Sequence, residues 1–134
     1  MRTWMVVEDE PDLYDMVLGM YEMLGIDGVA FTDGEEAITW IEEVESGQYT
    51  RELPELALVD IRLPGKINGI QVGERLRQSK KLNGMAIVLM TAYKLSAQQE
   101  KAAIEQSGCN LFLYKPLPKL NELRIILENL VERQ

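Results

Sequence analysis

The 134-residue sequence predicts an α/β fold: one parallel sheet with helices on both faces. Three observations carry this reading. Short apolar runs alternate strictly with longer segments of helical spacing, and there are five of each. The runs are continuously apolar, as strands covered on both faces require. Turn and capping residues fall between the two kinds of segment. The length suits a single domain over residues 1–134, and a chain of this size buries roughly two thirds of its unfolded surface without disulfide or metal staples.

The elements follow in order. Trp4–Val7 is the first strand, and Pro11 sits where a first helical turn tolerates it. Leu13, Met16, Val17, Met20 and Leu24 then share one helix face, and Gly25 marks its stop. Val29–Phe31 is the second strand. Asp33 is placed to cap the next helix, with Glu36 three residues on to complete a capping box. Ala37, Ile38, Ile41 and Val44 form that helix's apolar face, and Gly47 ends it. The stretch from Glu45 to Glu55 is the longest connection. Leu56–Val59 is the third strand, Pro64–Asn68 a turn-rich loop, and Ile70, Gly73 and Leu76 mark the third helix. Ala86–Met90 is the fourth strand. Ser96 caps a weaker helix marked by Ala102, Ala103 and Gln106, which Gly108 stops. Leu111–Tyr114 is the fifth strand. Leu120, Leu123, Leu127, Leu130 and Val131 mark the last and most regular helix, expected to end near Gln134 with no room after it for a helix-turn-helix.

Composition narrows the chemistry. The chain has no histidine, which excludes Ser-His-Asp and Cys-His nucleophile systems, H-E-x-x-H zinc sites and any phosphohistidine of its own. Cys109 is the only cysteine, so an internal disulfide is impossible; its place before a strand suits a small buried hydrophobe. Residues 1–60 hold 16 acids against 2 bases, and residues 61–134 hold 6 acids against 12 bases. Most of the acids read as solvated helix faces, and the overall charge of −8 disfavours nucleic-acid binding. The amino-terminal apolar run is too short for a signal peptide, and no stretch approaches the ~20 apolar residues of a membrane span. A cytoplasmic protein without membrane insertion is expected.

Ligands of open α/β sheets bind beyond the carboxyl ends of the strands. Glu8, Asp9 and Glu10 follow the first strand, Asp60 the third, Thr91 the fourth and Lys115 the fifth. If these strands are neighbours, Glu8, Asp9, Asp60, Thr91 and Lys115 share one crevice. Paired carboxylates at ~4 Å and an effective dielectric of ~20 repel by about 4 kcal/mol. Such a cluster either takes up a proton or holds a cation. Hard oxygen donors without His or Cys favour Mg²⁺ or Mn²⁺. A carboxylate nucleophile, a metal, a lysine and a hydroxyl are also the parts that phosphoryl transfer needs, and an ionised carboxylate requires no general base.

These residues resemble the receiver domain of two-component response regulators. The resemblance lies in Val6-Val7-Glu8-Asp9-Glu10-Pro11, Leu58-Val59-Asp60-Ile61-Arg62-Leu63-Pro64-Gly65, Met90-Thr91-Ala92 and Tyr114-Lys115-Pro116, and it covers essentially the whole chain. It implies a flavodoxin-like sheet of strand order 2-1-3-4-5. It implies Asp60 as phosphoacceptor, supplied by a phosphohistidine on a sensor histidine kinase or phosphotransfer protein. Asp9, Asp60 and the backbone carbonyl of Arg62 would bind Mg²⁺, and Glu8 would reach it through water. Lys115 would contact the phosphoryl group, Thr91 would be the switch hydroxyl and Phe112 the switch aromatic. The Lys115–Pro116 bond is often cis in such domains. The chain would catalyse its own phosphorylation and dephosphorylation without turning over a separate substrate, and signal to a downstream protein by direct contact.

The sequence departs from the family pattern in places. Glu8 stands for the usual aspartate, and the Pro64–Gly69 loop is one residue longer than usual. Arg62 and Tyr93 occupy the two positions that tune dephosphorylation in the family, and both are large enough to shield an acyl phosphate from water. Other readings meet specific obstacles. A phosphohydrolase of the haloacid-dehalogenase type needs a second aspartate two residues after its nucleophile, where Arg62 stands. A flavin or nucleotide carrier needs a phosphate cradle after the first strand, where Glu8-Asp9-Glu10 would repel one. A receiver-like binding module that is never phosphorylated would not need its acceptor, metal and lysine positions intact.

Overall fold

The structure is a computed structural model that describes residues 2–133. Ten elements alternate along the chain: β1 (Thr3–Val7), α1 (Pro11–Met23), β2 (Asp27–Phe31), α2 (Gly34–Glu45), β3 (Leu56–Asp60), α3 (Gly69–Gln78), β4 (Ala86–Thr91), α4 (Ala97–Ser107), β5 (Leu111–Tyr114) and α5 (Leu120–Glu132). All strands are parallel, in the order β2-β1-β3-β4-β5. The α/β expectation and the flavodoxin-like strand order both hold. Met1 and the expected helix end near Gln134 lie outside the described residues.

Side-chain alternation along the strands divides the core in two. Trp4, Val6, Leu56, Leu58, Val88 and Met90 face one side, where Val17, Met20 and Tyr21 of α1 and Leu123 and Leu127 of α5 cover them. Met5, Val7, Ala57, Val59, Ile87 and Leu89 face the other, under Ala37, Trp40 and Ile41 of α2 and Val72 and Leu76 of α3. The three central strands are buried throughout; β2 and β5, as sheet edges, are only half covered. Continuous apolarity therefore marks burial on both sides for β1, β3 and β4, but not for the edges.

Most of the expected punctuation is present. Asp33 caps α2, its Oδ1 accepting the Glu36 N–H at 2.7 Å. The expected capping box does not close, because the Glu36 carboxylate reaches one residue further back. There it accepts both the N–H and the hydroxyl of Thr32, at 3.1 and 3.0 Å, two donors in place of one. Ser96 caps α4 in a complete box with Gln99, and Asn68 does the same for α3 with Gln71. Gly25, Gly47 and Gly108 follow their helices with positive φ, as helix stops require.

The α4 face differs from its expectation. Ala103 and Ser107 are buried, whereas Ala102 and Gln106 are exposed. The contact is a narrow one against α3, where a Cβ on Gly73 would come within 2.9 Å of the Ser107 Cβ. Leu120, the first residue of α5, is likewise exposed, so the buried stripe begins at Leu123. Cys109 is half-buried against the α2–α3 side of the core, and burial pushes its thiol pKa up, as suits a packed rather than a reactive thiol.

Candidate functional site

The chain runs from β1 outward to β2, then crosses back to β3 on the other side of β1. A crevice opens between the carboxyl ends of β1 and β3, where the strand order reverses. Register decides what enters it. Val7 lies level with Val59, so Glu8 and Asp60, one residue further along each strand, come out side by side. Asp60 pairs with Met90, which puts Thr91 one step beyond, and Thr91 pairs with Tyr114, which puts Lys115 one step beyond that.

Glu8, Asp60 and Thr91 are all buried, an unusual fate for two carboxylates. Each is partnered. Glu8 Oε1 accepts a hydrogen bond from Lys115 Nζ at 2.8 Å, and its Oε2 accepts the Glu10 N–H at 3.0 Å. Lys115 Nζ also lies 3.4 Å from Asp60 Oδ1, so one ammonium bridges both buried acids. Asp9 stands at the exposed rim. Oxygens of Glu8, Asp9 and Asp60 come within 4.8 Å of one another, a spacing that one small cation can span.

The electrostatics agree with that fit. Burial, then the neighbouring Glu8 charge, raises the Asp60 pKa from 3.8 to about 7, although Lys115 pulls the other way. Lys115 is itself raised: its burial acts downward but is outweighed by the hydrogen bond to Glu8 and the charge of Asp60. A cluster that holds its central carboxyl partly protonated at neutral pH is short of positive charge. Its donors are all hard oxygens, with neither His nor Cys at hand, which suits Mg²⁺ or Mn²⁺.

The remaining expected residues surround this core. The Thr91 hydroxyl oxygen accepts the Tyr93 N–H at 3.1 Å. The Arg62 guanidinium lies over the Tyr93 ring. The Lys115–Pro116 bond is cis. Phe112 stands apart, on edge strand β5 level with Leu89, packed toward α2 and α3 and tilted against Tyr114 at 5.2 Å.

Two supporting residues had no sequence signal of their own. Gly69, at the start of α3, donates its N–H to the Ile61 carbonyl at 2.8 Å. A Cβ there would lie 2.1 Å from the Asp60 carbonyl oxygen, so only glycine lets α3 begin this close to β3. Glu35, in the first turn of α2, accepts the Lys66 N–H at 2.8 Å from across the crevice wall. Its neighbour in the capping sequence, Asp33, was legible; a long-range contact 31 residues away was not.

A family model of the response regulator receiver domain matches residues 4–128, and the chain belongs to that family. It is 29% identical over 122 residues to an uncharacterised 14.6 kDa protein of Leptolyngbya boryana, covering 91% of this chain and 85% of that one. It is 33% identical over 112 residues to the DNA-binding response regulator MtrA of Mycolicibacterium smegmatis, covering 84% of this chain but only 43% of MtrA. Among solved structures, it is similar to the receiver domain of the sensor histidine kinase PA1611 from Pseudomonas aeruginosa, which has a magnesium ion coordinated in its active-site cleft. That match has a TM-score of 0.78 at 27% identity and covers 98% of both chains. A putative response regulator from Chloroflexus aurantiacus gives a TM-score of 0.79 at 26% identity, again over 98% of both chains. The chain is thus a receiver domain of two-component signalling, a class that accepts phosphoryl groups and does not in general act as an enzyme on a separate substrate. Among the described residues no helix is long and apolar enough to cross a membrane.

Proposed function

We propose that Asp60 accepts a phosphoryl group from the phosphohistidine of a sensor histidine kinase or phosphotransfer protein, and that the resulting acyl phosphate switches a downstream protein contact. One observation carries this reading: a single half-buried lysine bridges the buried Glu8 and Asp60 at the switch point of the sheet, with Asp9 at the rim. In the transfer, an Asp60 carboxylate oxygen bonds to phosphorus as the phosphorus–nitrogen bond to the donor imidazole breaks, and the imidazole leaves with the electron pair. Asp9, Asp60 and the Arg62 carbonyl would hold Mg²⁺ or Mn²⁺ directly, and Glu8 through water. The bound ion would offset charge on the phosphoryl oxygens.

The chain's own residues do the rest. Lys115 gives up part of its pairing with Glu8 and turns to a phosphoryl oxygen. Thr91 keeps its oxygen on the Tyr93 N–H and can donate its hydroxyl proton to another phosphoryl oxygen. Because Tyr93 follows Thr91 and stacks on Arg62, a shift of Thr91 is passed to the rim of the crevice. Phe112 is the candidate switch aromatic on β5. Attack of water on phosphorus breaks its bond to the Asp60 oxygen, which keeps the electron pair, and releases inorganic phosphate; phosphorylation and dephosphorylation are both catalysed within the chain.

Residues 1–134 are read as one receiver domain that works in the cytoplasm, signals through protein contact and does not itself bind nucleic acid. Incubation with acetyl phosphate and Mg²⁺, followed by intact mass measurement, tests the acceptor. The expected result is the addition of one phosphoryl group, lost in Asp60→Asn and on chelation of the metal. An Asp60→Asn variant that is labelled as well as the unaltered chain would overturn the assignment.

A further inference from the structure

The loop between β3 and α3 carries Arg62; Leu63 and Ile67 pack against the core and Arg62 stacks on Tyr93, but the loop makes few hydrogen bonds. Its ends are fixed: the Ile61 N–H bonds to Met90 O at 2.9 Å, the Gly69 N–H to Ile61 O at 2.8 Å, and Asn68 caps α3. Between Arg62 and Ile67 the described residues make one hydrogen bond, from the Lys66 N–H to Glu35 Oε2 at 2.8 Å.

The contact is closely built. Gly65 has a φ of +86°, and a Cβ on it would lie 2.6 Å from Glu35 Oε2 and 2.8 Å from Oε1. A Cβ on Gly34, the residue before Glu35, would lie 2.7 Å from the side chain and carbonyl of Ile67. Two glycines thus let the first turn of α2 and the loop touch, and the carboxylate holds them together. The other Glu35 oxygen is buried without a partner, an arrangement that costs free energy unless the contact returns it.

We propose that Glu35 is a positioning residue for the metal site: by clamping the Lys66 amide it steadies the β3–α3 loop, and with it Arg62, whose carbonyl the proposed function assigns to the metal. This rests on the reading of the site as a Mg²⁺-binding receiver. Groups that orient metal ligands without touching the metal commonly change affinity by about tenfold or more when removed. An acceptor is all the clamp needs, so an amide can replace the carboxylate whereas alanine cannot.

The test is a Mg²⁺ titration by calorimetry of the unaltered chain, Glu35→Ala and Glu35→Gln, with melting temperatures measured beside it. Glu35→Ala is expected to bind Mg²⁺ about tenfold more weakly. Glu35→Gln is expected to stay within about twofold, since it keeps the acceptor. A purely structural role would lower the melting temperature and leave the affinity of the folded protein unchanged. Equal affinity in all three proteins would overturn the inference and leave the receiver reading standing; no Mg²⁺ binding by the unaltered chain would overturn both. Amide hydrogen exchange in the unaltered chain keeps the idea falsifiable should Glu35→Ala fail to fold. The Lys66 amide is expected to be protected relative to its exposed loop neighbours, and exchange at their rate would overturn the clamp.

Discussion

The Arg62 guanidinium lies over the Tyr93 ring, 4.0 Å from its centroid. One side chain follows Asp60, the proposed acceptor, by two residues, and the other follows Thr91 by two. Both are exposed, so the stack lies at the surface rather than in the core. A stacked cation and ring contribute about 1 kcal/mol, and if the pair covers an acyl phosphate on Asp60 it would keep water from it most of the time. Phosphate decay of the isolated domain is therefore expected to be slow. The double variant Arg62→Asn/Tyr93→Ala is expected to accelerate it about fivefold, the rate equivalent of that energy. Decay that is unchanged or slower in the double variant would sink this explanation.

Titration of Asp60 gives a second expectation. Its carboxyl has a pKa of about 7 in the fold against an ordinary value of 3.8. Between those values the folded state holds the proton more tightly than the unfolded chain does. Metal-free stability from this group should therefore fall as pH rises from about 4 to about 7, the reverse of a salt-bridged aspartate. A cation favours the ionised form, so Mg²⁺ binding near pH 7 should release about half a proton from Asp60, and almost none above pH ~8.5. Calorimetry in buffers of different ionisation enthalpy reads that number directly; release that does not change with pH would rule out Asp60 as the titrating group.

Lys115 supplies a third. Its ammonium is the partner of a fully buried Glu8 carboxylate, and its removal leaves that charge without compensation. Lys115→Ala is expected to lower metal-free stability by about 3 kcal/mol in chemical denaturation. Added Mg²⁺ should recover part of the loss, because a cation can take over the compensation. A variant as stable as the unaltered chain without metal would show that the bridge carries little.

Gly69 supplies a fourth. A methyl group 2.1 Å from the Asp60 carbonyl cannot be accommodated without moving α3 or the end of β3. Gly69→Ala should cost about 3 kcal/mol or more by denaturant titration. Gly84, where a Cβ meets nothing within 4 Å, serves as the control: Gly84→Ala should change stability by no more than about 1 kcal/mol.

Much of this arrangement was legible in the sequence, for physical reasons. Local signals survive in the primary structure. The apolar runs of β1, β3 and β4, the caps at Asp33 and Ser96 and the glycine stops each depend on residues a few positions apart. The site was legible because strand ends in a parallel sheet are set by register, and register is set by those same runs. What escaped depends on tertiary neighbours. The pairing of Lys115 with Glu8 spans 107 residues, and the clamp of Glu35 on Lys66 spans 31. The exposed Ala102 and Gln106 show the same limit from the other side: α4 touches its neighbour through so narrow a stripe that helical spacing alone could not choose the face. The half-covered edges β2 and β5 show that an apolar run does not reveal whether a strand ends up inside the sheet or at its rim.

The most direct test of the phosphoacceptor assignment is beryllofluoride binding followed by NMR, since this phosphoryl mimic needs the carboxylate, the metal, the hydroxyl and the lysine together. The expected result is one-to-one binding that requires Mg²⁺, shifts the amides of Asp60, Thr91 and Lys115, and disappears in Asp60→Asn. Absence of Mg²⁺-dependent binding to the unaltered chain would contradict it, and would make the domain a receiver-like binding module that is not switched by phosphate.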